Sequence, residues 1–360
     1  MRTLFAILIC ALLVSASQHD AKKYQPPKPQ VLPLPAELPM AITADTDTLD
    51  FHISPLLHTG GLGAQIRQSL NDLIRDTHGE TIVKLRAFVA GTGDARRVQS
   101  EAVSIFSDHK LPLPVLSIVQ IGGLAGEAAQ VVIEAVVSTH KTVNPNGLAF
   151  ITGQYGRNFE DSVDHLRTSV ALAQVTPDHL LTATCFTSAV NDYEARRALI
   201  QSAFPKAGIN IVQALRDPST DATMCEAVGQ LGEAPAQAAE IVRVSKAHAT
   251  LVTAKRLVFT GLQLCFGSFL DDAQEAQQRL RRAANGAGST MQAETFANSA
   301  VQINAFSLTP AAGSALRKTT SFPVSTFTVL PVEGLTAIDA TAGIDAVLAV
   351  TTETAANSSR

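Results

Sequence analysis

One unit recurs three times along this 360-residue chain, and the repeat restricts its possible folds more than any other feature. Two sets of landmarks keep nearly the same spacing. The first is a phenylalanine within a predicted middle strand, at intervals of 98 and 110 residues: Phe88, Phe186 and Phe296. The second ends a predicted first strand, at intervals of 98 and 108 residues: Pro55, Gly153 and Gly261. Independent landmarks in the same order predict three copies of one fold.

A single acid in an apolar run marks the last strand of each copy. The runs read IEAV, CEAV and IDAV, and their acids are Glu134, Glu226 and Asp345. Two interpretations are open. The acids are either relics of duplication, salt-bridged where copies meet, or buried carboxylates whose raised pKa lets them orient a water or a substrate proton.

The order of strand-like and helix-like segments predicts ββαβαββ for each copy, an α+β fold. A turn signal before each first strand is expected to close a hairpin: residues 45–47, 144–147 and 254–255. Helical periodicity predicts helices over 64–75, 94–106, 159–175, 193–204 and 270–284. The second helix of the third copy is expected to be shorter or broken, because Pro310 and Gly313 interrupt it.

The ends of the chain differ from the repeats. Residues 1–16 have the charged start, short apolar run and small residues of a signal peptide, which predicts a secreted or periplasmic protein. An uncleaved anchor or a buried N-terminal helix is the alternative. A proline-rich linker is predicted for 17–38, the copies for 39–140, 141–240 and 241–350, and a tail for 351–360.

Composition excludes several functions. A net charge of −4 without a basic, aromatic-rich patch argues against nucleic acid as a partner, and no membrane contact is expected after signal cleavage. No histidine or cysteine spacing suggests a metal site, and no cofactor is expected. Of the four cysteines, Cys185, Cys225 and Cys265 follow the signal peptide, and we interpret them as small buried hydrophobic residues.

The middle copy carries a resemblance to a known family. Its segments FITGQYGR (150–157), FTSAVND (186–192) and CEAVGQL (225–231) resemble the Rid family, also called YjgF or UK114. Members form homotrimers of single units with a central β-barrel, outer helices and ligand clefts between subunits. The resemblance therefore implies three Rid/chorismate-mutase-like units in one chain, folded as an intramolecular pseudo-trimer, with the chain itself monomeric.

The family's activity is the hydrolysis of enamines and imines with release of ammonia. An arginine at the start of the penultimate strand clamps the substrate carboxylate. The matching residues here are Leu116 in the first copy, Ile209 or Gly208 in the second and Val324 in the third. Loss of one member of such a buried pair costs about 2–5 kcal/mol, so an ordinary imine deaminase is disfavoured.

Candidate site residues follow from the repeated acids and from the resemblance. The catalytic candidates are Glu226, Glu134 and Asp345. The substrate-binding candidates are Thr152, Gly153, Gln154, Tyr155, Arg157, Arg216, Cys225 and Gly261. Among these, Arg157 and Arg216 are either substitutes for the missing clamp or solvated loop residues.

The function predicted from these residues is binding of a small metabolite in clefts between the units. One alternative is an enamine or imine deaminase, or a related hydrolase, that uses a relocated cation. Another is a chorismatase-like hydrolase, since those enzymes also resemble fused Rid units. Export argues against the latter, because chorismate is an intracellular intermediate.

Overall fold

The strands form three sheets, each backed by helices on one face. The computed structural model describes residues 36–217, 219–234, 241–286, 298–320 and 326–350. The predicted signal peptide, nearly all of the linker and the tail lie outside the described residues. So do Phe296 and Val324.

Secondary structure alternates along the described chain. The strands are β1 (Ala41–Asp45), β2 (Leu49–Ile53), β3 (Thr81–Ala90), β4 (Val115–Ile121), β5 (Gly123–Leu124), β6 (Val131–Ser138), β7 (Leu148–Gly156), β8 (Leu180–Thr187), β9 (Gly208–Gln213), β10 (Thr223–Gln230), β11 (Ile241–Val244), β12 (Ala249–Val252), β13 (Arg256–Thr260), β14 (Gln263–Cys265), β15 (Ala300–Ser307), β16 (Phe327–Pro331), β17 (Gly334–Leu335) and β18 (Ala342–Val350). The helices are α1 (Leu62–Asp76), α2 (Arg96–Asp108), α3 (Phe159–Leu172), α4 (Tyr193–Ala203), α5 (Leu270–Gly286) and α6 (Pro310–Thr319). This mixture confirms the predicted α+β class.

The helices form where the sequence has an apolar stripe at helical spacing. In α1 the stripe is Ile66, Leu70 and Leu73, and all three side chains are buried. Helix α6 is shorter than α2 and α4, as one of the two predicted alternatives held, and Pro310 and Gly313 do not break it. Pro310 occupies the first turn, where no backbone N–H is needed, and the Thr309 hydroxyl caps the helix by accepting from the Ala312 N–H.

Each sheet contains the same order of four strands from one copy. The first strand (β2, β7 or β13) lies beside the last strand (β6, β10 or β18). The middle strand (β3, β8 or β15) and then the penultimate strand (β4, β9 or β16) follow. The first sheet runs β17-β4-β3-β6-β2, the second β11-β12-β7-β10-β8-β9-β5, and the third β1-β13-β18-β15-β16 with β14 also on β18. The middle and penultimate strands are parallel in every sheet, because a helix connects them.

The predicted hairpins are wrong. A short 3-10 turn, Thr46–Thr48, separates β1 from β2, and the two strands enter different sheets. β1 pairs with β13, and the Thr46 N–H donates to the Lys255 carbonyl. Likewise β12 pairs with β7 rather than with β13. Strands from neighbouring copies therefore cover the edges of β7 and β13, which a local hairpin was expected to cover.

The sheets turn their helix-free faces toward a shared interior. One apolar cluster of this interior includes Phe88, Phe186 and Phe306, and another includes Phe150 and Phe259. Each cluster draws on all three sheets. The described strands remain three separate hydrogen-bonded sheets, so the expected closed barrel is not formed by them.

A disulfide corrects the interpretation of the cysteines. Cys185 on β8 lies directly opposite Cys225 on β10, and their sulfurs are bonded. Both face α3 within an apolar cluster. Cys265 is free and buried. The sequence alone did not indicate that the two strands would be neighbours in this register.

Candidate functional site

The three repeated acids point into the shared interior. On β6, Glu134 lies on the same face as Val132 and Val136, because side chains alternate along a strand. The opposite face of the sheet packs on helices. By the same alternation Glu226 on β10 and Asp345 on β18 face inward, with 4% and 0% of their surface exposed.

Arg86 on β3 joins two of these acids. Its Nε donates to Glu134 Oε2 at 2.6 Å, and its Nη2 donates to Glu226 Oε1 at 3.3 Å. The other Glu134 oxygen accepts from Thr184 Oγ1 at 2.9 Å and Asn210 Nδ2 at 3.2 Å. Glu134 thus has a full set of partners from two copies.

Asp345 has a different set of partners. Lys84 Nζ lies 3.6 Å from Asp345 Oδ2, which also accepts from Ser117 Oγ at 3.0 Å. Asn304 Nδ2 donates to Asp345 Oδ1 at 3.0 Å. The carboxylate is therefore compensated by one cation and two neutral donors, as a fully buried charge requires.

Strand register shows that both cations occupy repeated positions. The residues opposite the three acids are Arg86, Thr184 and Asn304, and the residues two places earlier are Lys84, Thr182 and Gln302. Only the first copy carries a charge at either position. A symmetric trimer would bring three identical side chains together there, whereas one fused chain can place a cation from a single copy.

Burial and charge shift the pKa values within this cluster. Burial raises the pKa of Glu226 and outweighs the opposing effect of Arg86, which contacts Glu226 through one oxygen only. Burial lowers the pKa of Lys84, against the attraction of Asp345. Burial also acts to lower the pKa of Arg86, but the charges of Glu134 and Glu226 raise it above its ordinary value.

A small cavity of about 70 Å³ lies against this cluster, and we call it the central cavity. Its charged lining residues are Lys84, Arg86, Glu134 and Glu226. Its aromatic lining comes from the first strand of each copy: Phe51, Phe150 and Phe259. Equivalent valines on the three last strands also line it: Val136, Val228 and Val347. The cavity therefore lies where the three copies meet.

A larger, open cleft of about 610 Å³ lies between the first and second copies, and we call it the first cleft. Residues 53–56 form one side and residues 205–211 the other. Its charged residues are Arg197, Lys206 and Glu194. Asn210 lines the cleft and also donates to Glu134, so it connects the cleft with the acid cluster.

Three predicted substrate-binding residues contact the third copy: Thr152, Gly153 and Tyr155. Thr152 Oγ1 and the Gly153 N–H each lie 3.3 Å from Thr328 Oγ1. The Gln154 side chain is buried and donates to the Thr152 carbonyl. The Tyr155 hydroxyl donates to the Val329 carbonyl at 3.0 Å.

The other four are dispersed. Arg157 is exposed and pairs with Asp161 at 3.0 Å. Arg216 is exposed, and its backbone N–H donates to a Glu333 carboxylate oxygen. Cys225 is disulfide-bonded, and Gly261 donates to the Met40 carbonyl. None of the eight substrate-binding candidates lines the central cavity or the first cleft.

Strand register identifies the positions that match the family's arginine. Ser117, Asn210 and Thr328 are equivalent, because each pairs with the residue opposite an acid. The residues just before them are Leu116, Ile209 and Phe327, all apolar. In the second copy the register selects Ile209 over Gly208. In the third it selects Phe327, whereas Val324 lies outside the described residues.

Lys84 and Arg86 are the charged site residues that sequence reasoning missed. They lie two residues apart in the apolar run TIVKLRAFVA. That spacing puts both on one face of a strand, together with Phe88. The signal available in the sequence was this pair of charged residues, placed on the same strand face as a phenylalanine that is buried.

Comparison with solved structures finds similarity to a YjgF protein and to two proteins matched over most of this chain, a cyanuric acid hydrolase and a chorismatase. No family model matches the chain, and no curated protein does. The Escherichia coli YjgF gene product is 22% identical over 28% of this chain and 92% of its own, with a TM-score of 0.24. A cyanuric acid hydrolase is 12% identical over 84% of this chain and 100% of its own, with a TM-score of 0.24. A chorismatase is 11% identical over 84% of this chain and 99% of its own, with a TM-score of 0.27.

Two absences apply to the residues that the structure describes. None of their helices combines the length and the apolar character needed to cross a bilayer. Nor do these residues include three or more histidine, cysteine or acidic side chains grouped so that they could hold a metal ion.

Proposed function

We propose that this chain is an exported Rid-like protein of three fused units that binds a small anionic metabolite in the first cleft. The observation that carries the proposal is the cleft itself. It is open, has a volume of about 610 Å³ and is built from facing segments of two copies. Ligand sites are commonly concave and of this size.

The pairing of strands between copies supports a cyclic pseudo-trimer. β5 of the first copy extends the sheet of the second, and β17 of the third copy extends the sheet of the first. β1 extends the third sheet. Every sheet thus receives a strand from outside its own copy, as expected where three equivalent units pack around a common centre.

The charge of the first cleft favours an anion. Arg197 and Lys206 contribute two cations, against the single carboxylate of Glu194. Lys206 is already paired with Asp178, which does not line the cleft, with Nζ and Oδ2 3.3 Å apart. An arginine can bind a carboxylate or phosphate through two parallel hydrogen bonds. We therefore assign Arg197 as the principal ligand-binding cation.

Binding is favoured over the deaminase alternative because of the partners of the acids. Arg86 is the relocated cation that a deaminase would need. However, its guanidinium is already paired with Glu134 and Glu226 in the interior. Export of the protein argues against the chorismatase-like alternative, because chorismate is an intracellular intermediate. The Cys185–Cys225 disulfide supports export, because disulfides persist in oxidising compartments.

Isothermal titration of the chain from residue 17 onward with pyruvate and with inorganic phosphate, at constant ionic strength, tests the proposal. We expect saturable binding of at least one anion and a loss of about tenfold or more in Arg197→Ala. Arg96→Ala is the matched control, since Arg96 is an exposed helical arginine paired with Asp94. Equal affinities in both variants, or no binding of either anion, would refute the assignment.

An activity assay separates binding from catalysis. Ammonia release from freshly generated 2-aminoacrylate is measured against a reaction without enzyme and against Glu226→Gln. We expect no release above background. Release that disappears in the variant would establish the deaminase instead.

A further inference from the structure

The charges around the central cavity do not balance. The cluster contains two cations and three carboxylates: Lys84, Arg86, Glu134, Glu226 and Asp345. With every group ionised its formal charge is −1. Glu134 and Asp345 each have a cation and two neutral donors, so the excess negative charge is associated with Glu226.

Glu226 also has an oxygen without a partner. Its Oε2 is buried and accepts no hydrogen bond from the described residues, while Oε1 contacts Arg86 at 3.3 Å. A buried acceptor left in this way is unfavourable, because it has lost water without gaining a donor. Glu226 lines the central cavity. A donor placed in the cavity would relieve both the missing hydrogen bond and the excess charge.

The rest of the cavity suits an apolar group. Phe51, Phe150 and Phe259 line it, and Phe150 and Phe259 are each only 1% exposed. Aromatic faces attract cations as well as alkyl groups.

We propose that the central cavity binds a small primary alkylammonium ion. Its –NH₃⁺ group donates to Glu226 Oε2, and its alkyl chain packs among Phe51, Phe150 and Phe259. An anion is disfavoured by the net negative charge of the cluster. An inorganic cation is disfavoured because it requires several oxygen ligands, and the remaining lining is largely apolar. The volume of about 70 Å³ limits the ligand to a few non-hydrogen atoms.

Thermal denaturation of the wild-type protein at pH 7 with propylammonium chloride tests this site. Propan-1-ol, sodium propionate and sodium chloride at matched ionic strength are the comparison solutes. We expect a saturable rise in Tm with propylammonium alone, since a ligand that binds only the folded state stabilises it. An equal rise with propan-1-ol would mean that the cavity is merely apolar, and an equal rise with sodium chloride would indicate a salt effect. Either result, or no saturable rise, overturns the proposal.

Variants locate the effect. Glu226→Gln should weaken propylammonium binding about tenfold or more, and Glu160→Gln, an exposed glutamate on α3, should leave it unchanged. Val136→Phe keeps every charge and fills the cavity, so it should also abolish binding and serves if Glu226→Gln misfolds. Binding that persists in both cavity variants would place the ligand elsewhere.

A further variant separates the two proposals. Arg197→Ala should retain the propylammonium response, because Arg197 lines the first cleft and not the central cavity. Failure of one site therefore does not imply failure of the other.

Discussion

At the scale of single residues, Arg86 is the cation that pairs with two of the three repeated acids. It is 12% exposed in its side chain and pairs with two acids that belong to different copies. A buried ion pair adds little net stability compared with apolar residues, but removal of one partner leaves an uncompensated charge. The same residue therefore connects two copies and makes the interior sensitive to substitution.

Arg86→Met should lower the free energy of unfolding by about 3–5 kcal/mol, because Glu134 and Glu226 would both lose their cation. Urea denaturation measures the loss. Arg167→Met is the control: Arg167 is exposed and pairs with Asp164 at 3.4 Å, and its replacement should change stability little. Equal effects of the two substitutions would contradict the assignment of Arg86.

Glu226 should make stability depend on pH. Because its pKa is raised on folding, the carboxyl stabilises the protein fully below the ordinary pKa of glutamate and loses that contribution as pH rises through the folded value. Glutamine does not titrate, so the stability of Glu226→Gln relative to wild type should increase from about pH 4 to pH 8. Urea midpoints across this range, with Glu160→Gln as a flat reference, test the sign.

At the scale of elements, the disulfide joins two neighbouring strands of the second sheet. Cys185 and Cys225 close a segment of 40 residues that includes α4 and β9. Such a link restricts the unfolded chain and so stabilises the folded one. It lies on the face that packs against α3, away from the charged interior.

Cys185→Ala should lower the free energy of unfolding by about 2–4 kcal/mol and remove the response to reductant. Chemical denaturation with and without dithiothreitol measures both effects. Cys265→Ala is the matched control, because Cys265 is buried but free. That variant should keep the response to reductant that wild type shows. If wild type shows none, the disulfide does not contribute to stability.

At the scale of the whole molecule, each sheet is completed by strands from another copy of the same chain. A single chain should therefore fold and remain a monomer. Light scattering of the protein from residue 17 onward should give the mass of one chain at micromolar concentration. A stable trimer of chains would contradict the pseudo-trimer, because the interfaces would then lie between molecules.

Local patterns predicted the elements better than their arrangement. The stripe of Ile66, Leu70 and Leu73 was enough to place α1, because helical periodicity is a short-range property. The pairing of β1 with β13 was not predictable, since the turn after Asp45 resembles that of a hairpin. Arg86 was missed for a related reason. Its acid partners lie 48 and 140 residues away, and only the packed copies bring them together.

The exchange of β1 has a consequence for the order in which the chain is made. Asp45 is synthesised 211 residues before Arg256, its partner on β13. At about 5–20 residues per second, β1 waits roughly 10–40 s for that strand to appear. During this interval its hydrogen-bonding groups remain available to other chains. The third sheet therefore pairs β1 with β13, a strand that leaves the ribosome much later.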